Sequence, residues 1–288
     1  MGDVAASSNV PGWREVSHPV HGDRLEFDYT PTQIVTKVWT EWHRAKYDAK
    51  RAIAVNIGEA GDVEFVRELP GLRSVWVIDP LRDDTPVFDV PTLEQAVLYT
   101  RCKKPLVAER LPRLCDLIID GRPGLESLDG HPSLRRLQVH GYGAGSSSVL
   151  GSPPRLRELA LHGKWRPLDL TGLERLAALR SIRITEATLD SVAGVAKCPN
   201  LQHIELNVRT SDGRPVDVAP LADVADLRSL YIGRQPVRGL RALFRANKLV
   251  DIRFHGGAAG GEAGTVGMEL SQQVREREES LMQPIRDG

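Results

Sequence analysis

Apolar side chains recur along most of this chain in a fixed triplet, whose second and third members stand three and five positions after the first. The triplet occurs nine times between residues 72 and 254, at intervals of 20 to 26 residues. Because the second and third members are two residues apart, they point to the same face of a β-strand. The pattern predicts nine strands that share one core. The triplets are Leu72/Val75/Val77, Leu93/Ala96/Leu98, Leu114/Leu117/Ile119, Leu134/Leu137/Val139, Leu156/Leu159/Leu161, Leu179/Ile182/Ile184, Leu201/Ile204/Leu206, Leu227/Leu230/Ile232 and Leu249/Ile252/Phe254, with a weaker copy at Lys50/Ile53/Val55.

The segments between the predicted strands have an apolar spacing of their own. Leu173, Leu176 and Leu179 stand three residues apart and lead into the next strand, and other repeats behave in the same way. A spacing of three suits a 3₁₀ or short α turn that packs inward. One repeat cannot bury its apolar face alone, so the repeats must stack into a continuous solenoid.

The triplet and its period resemble the LxxLxL signature of leucine-rich repeat proteins, in a bacterial type with repeats of about 22 residues. The resemblance covers residues 50–256. It implies an α/β fold, a horseshoe-shaped solenoid with a parallel β-sheet on the concave side and short 3₁₀ or α segments on the convex side. If n is the first residue of a triplet, the Asn that the family places at n+8 is missing everywhere. Those positions hold Pro80, Arg101, Arg122, Tyr142, Lys164, Ala187, Arg209, Gln235 and Gly257.

That departure affects the turns after the strands. In the family, the Asn ladder satisfies buried backbone groups at the strand-to-loop turn. Here we expect turns rich in Gly, Asp-Gly and Pro, such as residues 120–124 and 140–143, to satisfy these groups instead. The solenoid should therefore be less regular.

The sequence predicts three parts, namely a flanking segment (1–49), the repeats (50–256) and a C-terminal part (257–288). In the first part, alternating apolar residues around a His-Gly-Asp turn predict a hairpin over residues 14–29. Thr30 and Pro31 are typical of a helix start, and the apolar face that follows predicts a helix to about Asp48. We expect this unit to cap the open N-terminal end of the solenoid.

The C-terminal part begins with a linker rich in Gly and Ala over residues 255–267. Residues 268–283 can form a helix on which Met268, Leu270, Val274 and Leu281 are partly aligned. Two interpretations stay open. The helix is either a C-terminal cap or a tail that depends on a partner.

Charge and composition exclude several classes of protein. The 288 residues carry 38 basic and 38 acidic side chains, so the net charge is zero. This balance argues against a nucleic-acid binder and against a polybasic membrane-surface protein. No apolar run is long enough for a transmembrane helix, and the first residues do not resemble a secretory signal. With three cysteines, we expect a reduced cytoplasmic chain. No motif indicates a cofactor.

Side chains at n+2, n+4 and n+6 should face the concave side of the sheet, where we look for a binding surface. Five apolar residues cluster toward the N-terminal end, and charges alternate in sign toward the C-terminal end. The candidate binding residues are Trp76, Ile78, Val97, Tyr99, Ile118, Arg136, Arg183, Glu205, Tyr231 and Arg253. The apolar cluster is either a binding patch or a surface that the chain's own N-terminal segment or C-terminal tail covers. The charged part is either a solvated surface or the polar rim of a binding site.

A second candidate site is the row Asp120, His140 and His162, which neighbouring strands should place side by side. Such a row could bind a divalent metal or carry out acid–base chemistry. The sequence shows neither a fourth ligand nor a nucleophile beside it, so a structural or interfacial role is the alternative. We predict no bound metal.

These observations lead to two hypotheses. The first is a module that binds a protein or peptide on its concave face, as a scaffold, an inhibitor or an immunity or partner protein, without catalysis of its own. The second is an unusual enzyme that acts on a peptide or small substrate through Asp120, His140 and His162. The sequence names neither the partner nor the oligomeric state.

Overall fold

A long parallel β-sheet runs through most of the chain. The computed structural model describes residues 12–18, 22–59, 61–143, 145–233, 235–254 and 264–286. Its strands are β1 (Gly12–His18), β2 (Gly22–Asp28), β3 (Gln33–Thr36), β4 (Ala54–Ile57), β5 (Ser74–Ile78), β6 (Gln95–Tyr99), β7 (Asp116–Asp120), β8 (Arg136–His140), β9 (Glu158–His162), β10 (Ser181–Thr188), β11 (His203–Arg209), β12 (Val216–Asp217), β13 (Ser229–Ile232), β14 (Val237–Arg238) and β15 (Asp251–Phe254). The large sheet has the order β15-β13-β11-β10-β9-β8-β7-β6-β5-β4-β3.

All nine triplets lie in one register across this sheet, as predicted. Each second member pairs with the second member of the next repeat, for example Val75 with Ala96 and Leu117 with Leu137. The weaker copy was predicted in the wrong register. Val55, and not Ile53, pairs with Val75, because the apolar triplet of that repeat begins at Ala52.

Short helices return the chain along the convex side. They are α1 (Glu41–Lys50) and α2 (Ala193–Ala196), together with 3₁₀ helices at Glu64–Glu68, Thr85–Asp89, Ala108–Arg110, Leu125–Leu128, Ser147–Leu150, Leu173–Arg175, Ala219–Asp223 and Leu240–Arg245. A further 3₁₀ turn at Thr30–Thr32 precedes β3, and the longest helix, α3 (Thr265–Arg286), follows the repeats. The leucines spaced three apart point inward from these segments, and Leu173 and Leu176 are almost fully buried. One hydrophobic core extends from Ile34 to Val274. None of the helices within the described ranges has the length and apolar character that crossing a membrane requires.

The predicted helix from Thr30 is wrong over its first ten residues. The chain forms a short 3₁₀ turn and then β3, which pairs with β4, and α1 begins only at Glu41. Ile34 is buried and Val35 is 68 % exposed, which is the alternation of a strand. Pairing with β4 outweighs the local Thr-Pro signal, since two adjacent β-branched residues fit a strand well. The large sheet therefore extends into the predicted flanking segment.

The hairpin does not cap the solenoid, contrary to our expectation. β1 and β2 form an antiparallel pair of their own, which lies across the amino-terminal ends of the parallel strands and reaches Arg180, just before β10. The edge strand β3 lies instead at the open N-terminal end, and α1 packs against it. The hairpin therefore occupies part of the concave side.

At the other end, α3 forms a C-terminal cap. Val266, Leu270 and Val274 are buried in the core, and Arg277 Nη1 donates a hydrogen bond to the carbonyl oxygen of Ala246 at 2.8 Å. Met268 and Leu281 are exposed, so they do not belong to the packed face. Of the two interpretations of this helix, the structure shows the cap.

Glycines let the turns after β7 to β9 stack closely. A Cβ atom on Gly121 would lie 2.7 Å from the carbonyl oxygen of Gly141, and one on Gly163 would lie 2.6 Å from that of Glu186. Either contact would be a clash. The N–H of Gly121 donates to the carbonyl oxygen of His140 at 2.6 Å. Main-chain hydrogen bonds between stacked turns thus satisfy groups that an Asn ladder would otherwise satisfy.

At three n+8 positions, a larger polar residue is buried where the family has Asn. Gln235 Nε2 donates to the carbonyl oxygen of Leu206 at 3.0 Å, and the Tyr142 hydroxyl donates to that of Ser146 at 2.5 Å. The third residue, Arg122, forms an ion pair instead. These substitutes differ from repeat to repeat.

The ion pair between Arg122 and Asp84 is fully buried. Nη1 and Nη2 of Arg122 each donate to one Asp84 carboxylate oxygen at 2.7 Å, and both side chains have zero exposure. The Thr100 hydroxyl donates to the same carboxylate at 2.5 Å. Burial by itself would raise the pKa of Asp84, but the hydrogen bonds from Arg122 and Thr100 outweigh it and lower this pKa. Asp84 is therefore charged and links two repeats.

Replacing Asp84 by Ala should destabilise the protein by about 3–5 kcal/mol, because it leaves the Arg122 guanidinium buried without its counter-charge. Asp223→Ala is the matched control, since it removes an exposed ion pair with Arg245 and should cost no more than about 1 kcal/mol. The measurement is the free energy of unfolding from urea titrations. Equal losses in the two variants would contradict the role assigned to Asp84.

Candidate functional site

Strand pairing arranges the concave residues in straight rows. β5, β6 and β7 pair in register, so Trp76, Val97 and Ile118 are direct neighbours, and Ile78 lies beside Tyr99. The five apolar residues that the sequence singled out are therefore contiguous. We call them the concave patch.

Members of the concave patch differ widely in exposure. Val97 is 1 % exposed, whereas Ile78 at the end of β5 is 49 % exposed. The Trp76 indole is half-buried and donates its Nε1–H to Gln95 Oε1 at 2.8 Å. Ile78 is thus the member most open to a partner. Val35 faces the same side from β3, two strands from Trp76, and sequence reasoning missed it because β3 was not predicted.

A buried polar ladder runs along the n+2 row, nearer the amino-terminal ends of the strands. Ser74 Oγ donates to Gln95 Oε1 at 2.7 Å, and Gln95 Nε2 donates to Asp116 Oδ2 at 2.7 Å. Arg136 Nε completes the ladder with a hydrogen bond to Asp116 Oδ1 at 2.6 Å. Arg136, a candidate binding residue, is therefore committed to the ladder.

The hairpin covers the end of this ladder. The Arg136 guanidinium lies 4.1 Å from the centre of the Phe27 ring, and the N–H of Leu25 donates to Glu158 Oε1 at 2.9 Å. Burial raises the pKa of Glu158, although the Leu25 N–H and the Arg136 charge oppose this. The chain's own N-terminal segment thus covers the amino-terminal edge of the concave face, while Ile78 stays open.

The remaining candidate residues lie on the C-terminal repeats. Arg183 Nε donates to Glu205 Oε2 at 2.5 Å, and Arg253 Nε donates to Asp251 Oδ1 at 3.0 Å. Both arginines are exposed. A depression of about 360 Å³ lies over Ala160, between the longer side chains of its neighbours on the paired strands, and its lining includes Arg183, Glu205 and Tyr231. The small side chain of Ala160 thus leaves a gap in a row of otherwise large polar and aromatic residues.

The second candidate site is a stack of rings. Asp120, His140 and His162 are direct neighbours across β7, β8 and β9, and the two imidazole rings lie 4.5 Å apart at an angle of 8°. Gln138 Nε2 lies 2.6 Å from Nε2 of His140 and 3.1 Å from Nε2 of His162. In this arrangement the amide donates to both nitrogens, so both imidazoles are neutral. His162 Nδ1 lies 2.6 Å from Thr185 Oγ1.

Burial keeps the stacked rings uncharged. It lowers the pKa of His162 to about 4, with further contributions from His140 and Arg183. It also lowers the pKa of His140, although Asp120 opposes this shift, and it raises the pKa of Asp120 itself. Tyr99 meets His140 edge-on, with ring centres 4.9 Å apart, so the stack adjoins the concave patch.

Three of the four ring nitrogens thus contact a protein amide or hydroxyl, namely both Nε2 atoms and Nδ1 of His162. Within the described ranges, no group of three His, Cys, Asp or Glu side chains could hold a metal ion. Sequence reasoning found the row but missed Gln138, whose n+4 position gave no sign that it would bridge both histidines.

Comparisons with known proteins agree with the architecture. An internalin from Listeria monocytogenes superimposes with a TM-score of 0.55 and 17 % sequence identity, over 66 % of this chain and 56 % of that one. The protein has the leucine-rich repeat fold. It spans little more than half of the internalin's length. Internalin C2 from the same species gives a TM-score of 0.43 at 16 % identity, over 57 % of this chain and 74 % of that one. No protein family and no curated protein matches the sequence.

The leucine-rich repeat domain should lose stability as the pH falls from about 6.5 to 4. In this range the unfolded chain protonates His162 at its ordinary pKa, whereas the folded chain does not until about 4. Between pH 7 and pH 5 this residue should account for a loss on the order of 1–2 kcal/mol, after allowance for solvent screening. Urea titrations of wild type and His162→Phe measure it, with a shallower pH dependence expected in the variant. The same dependence in both would contradict the assignment.

Proposed function

We propose that this chain is a module that binds a protein or peptide on the concave face of its repeats. The observation that carries the proposal is the half-exposed Ile78 beside Tyr99 on an otherwise well-packed sheet. Contiguous apolar residues on an open face lower solubility unless a partner covers them, and aromatic members supply strong anchors. The fold provides the extended concave surface that repeat proteins use for binding.

The charged residues on the concave face of the C-terminal repeats would make binding of the same partner more selective. Arg183 and Arg253 are exposed beside acidic neighbours, and charges of this kind act on association rate and specificity more than on affinity. We propose that they form the polar rim of the binding surface. The second hypothesis, an enzyme built on Asp120, His140 and His162, gains no support from the stack, because Gln138 and Thr185 contact the ring nitrogens.

We also propose a reducing, cytoplasmic location. Cys102, Cys115 and Cys198 are buried free thiols, and burial raises the pKa of Cys198 to about 11. Such thiols pack as small apolar groups and are unreactive. The division into 1–49, 50–256 and 257–288 stays a prediction.

Ile78→Glu should weaken capture of the true partner at least about tenfold, because it places a charge in the open part of the concave patch. Val149→Glu is the matched control, since Val149 is an exposed aliphatic residue on a convex 3₁₀ helix. Pull-downs from the native host, quantified by mass spectrometry, compare both variants with wild type. The true partner is a protein that wild type and Val149→Glu capture and that Ile78→Glu loses. If Ile78→Glu retains every captured protein equally, the concave patch is not the binding surface.

For the partner identified in this way, Arg183→Glu should slow association up to about tenfold and change its salt dependence. Arg245→Glu, on the convex 3₁₀ helix after β14, removes another exposed arginine that is paired with a carboxylate and should leave the rate unchanged. Stopped-flow or surface plasmon resonance at two salt concentrations gives both rates. Equal effects of the two substitutions would exclude Arg183 from the interface.

A further inference from the structure

The hairpin formed by β1 and β2 contacts the repeats in a way that differs from the packing of the core. The described residues of the continuous hydrophobic core begin at Ile34 and include none from the hairpin. Leu25 and Tyr29 are buried, but outside that core. The hairpin is held mainly by arginines that contact aromatic rings and carboxylates. Contacts of this composition are typical of interfaces between separate proteins.

The contacts of β1 fall on arginines that each stand just before a strand of the sheet. Trp13 lies with its ring centre 3.9 Å from the Arg135 guanidinium. Glu15 forms ion pairs with Arg157 and with Arg180, the latter at 3.1 Å. Alternate residues of an extended strand point to the same side, so Trp13 and Glu15 meet successive repeats.

Alternate residues of the segment that includes β2 and Tyr29 also contact different repeats, in the opposite direction along the sheet. Phe27 meets Arg136, and the Tyr29 hydroxyl donates to Glu94 Oε2 at 2.8 Å. Arg73 binds the same carboxylate at 2.7 Å and lies 5.9 Å from the Tyr29 ring. The five arginines that contact the hairpin, or Tyr29 directly after it, form what we call the arginine row. They are Arg73, Arg135, Arg136, Arg157 and Arg180.

We propose that the arginine row is a recognition surface for extended polypeptide segments in which aromatic and acidic side chains alternate. The hairpin is its built-in occupant, and a partner segment of the same chemistry displaces it. Two observations carry this assignment. The row is cationic where the occupant supplies Glu15 and three aromatic rings. The occupant also crosses several repeats with alternate residues of its strands, since Trp13 meets Arg135 and Glu15 meets Arg157 and Arg180.

The hairpin can leave while the repeats stay folded. An isolated two-stranded hairpin is marginally stable, and the ion pairs of Glu15 are only partly buried, so neither feature fixes the hairpin strongly. The tether to β3 keeps the hairpin at an effective concentration of about a millimolar. A partner segment must therefore bind the arginine row tightly enough to compete with the tethered hairpin. This surface lies apart from Ile78, so the proposal goes beyond the concave patch and can fail independently of it.

Hydrogen exchange on the full chain tests whether the hairpin opens by itself. Amides of β1 and β2 should exchange at least about 100-fold faster than those of β6 to β9. The double variant Trp13→Ala/Glu15→Arg should accelerate the hairpin amides further and leave the strands of the repeats unchanged. Exchange of the hairpin together with the repeats, at one common rate, would overturn the proposal.

A peptide with the sequence of residues 12–29 tests the chemistry of the arginine row. Labelled with a fluorophore, it should bind the full-chain variant Trp13→Ala/Glu15→Arg at least about tenfold more tightly than wild type, whose own hairpin competes. Adding Arg157→Glu and Arg180→Glu to that variant should abolish binding. A peptide that carries Trp13→Ala and Glu15→Arg is the control and should not bind.

Two results would overturn the proposal. One is equal binding of the peptide to wild type and variant, or no binding to either. The other is a dimer that forms by exchange of hairpins, seen by sedimentation as a concentration-dependent species that Arg157→Glu and Arg180→Glu remove. In that case the occupant of the row is a second copy of this chain. A failed test of Ile78→Glu would leave all of these outcomes unaffected.

Discussion

The structure depends on one constraint, which is that no repeat can bury its apolar face without its neighbours. Strands such as β7 and β8 therefore pair residue by residue, Leu117 with Leu137 and Ile119 with Val139. This register aligns the inward residues, and it necessarily aligns the outward ones as well. The polar ladder, the concave patch and the histidine stack are rows that follow from core packing. A shift of one residue in β7, which contributes to all three rows, would break the core and the three rows together.

Polar groups at the two edges of the sheet are satisfied by different means. At the carboxyl-terminal edge, the buried Arg122–Asp84 pair and the stacked turn at Gly121 connect neighbouring repeats. At the amino-terminal edge, the ladder from Ser74 to Arg136 does so, and the hairpin covers it. Buried charges at both edges are each paired, which is the condition under which burial of a charge is tolerated. Contacts that differ from repeat to repeat thus replace the missing Asn ladder, and no single residue type recurs in its place.

Periodic features were predictable from the sequence and unique contacts were not. The nine triplets share one spacing, and this set the fold and the membership of each row. β3 has no leading leucine, and the Thr-Pro pair before it is typical of a helix, so its pairing with β4 could not be foreseen. The contact of Trp13 with Arg135 joins residues more than a hundred positions apart and leaves no periodic trace. Gln138 likewise bridges His140 and His162 only because both rings turn toward it.

The arrangement of the rows also decides which side of the concave patch is open. The hairpin lies over the n+1 and n+2 positions, so the concave patch is open from the carboxyl-terminal ends of the strands, where Ile78 and Tyr99 lie. At that side Tyr99 meets His140 edge-on. A charged imidazole at that point would attract water and weaken apolar binding. Burial lowers the pKa of both histidines, which keeps the two imidazoles beside Asp120 uncharged at neutral pH. The histidine stack therefore adds no positive charge to the surface that adjoins the concave patch.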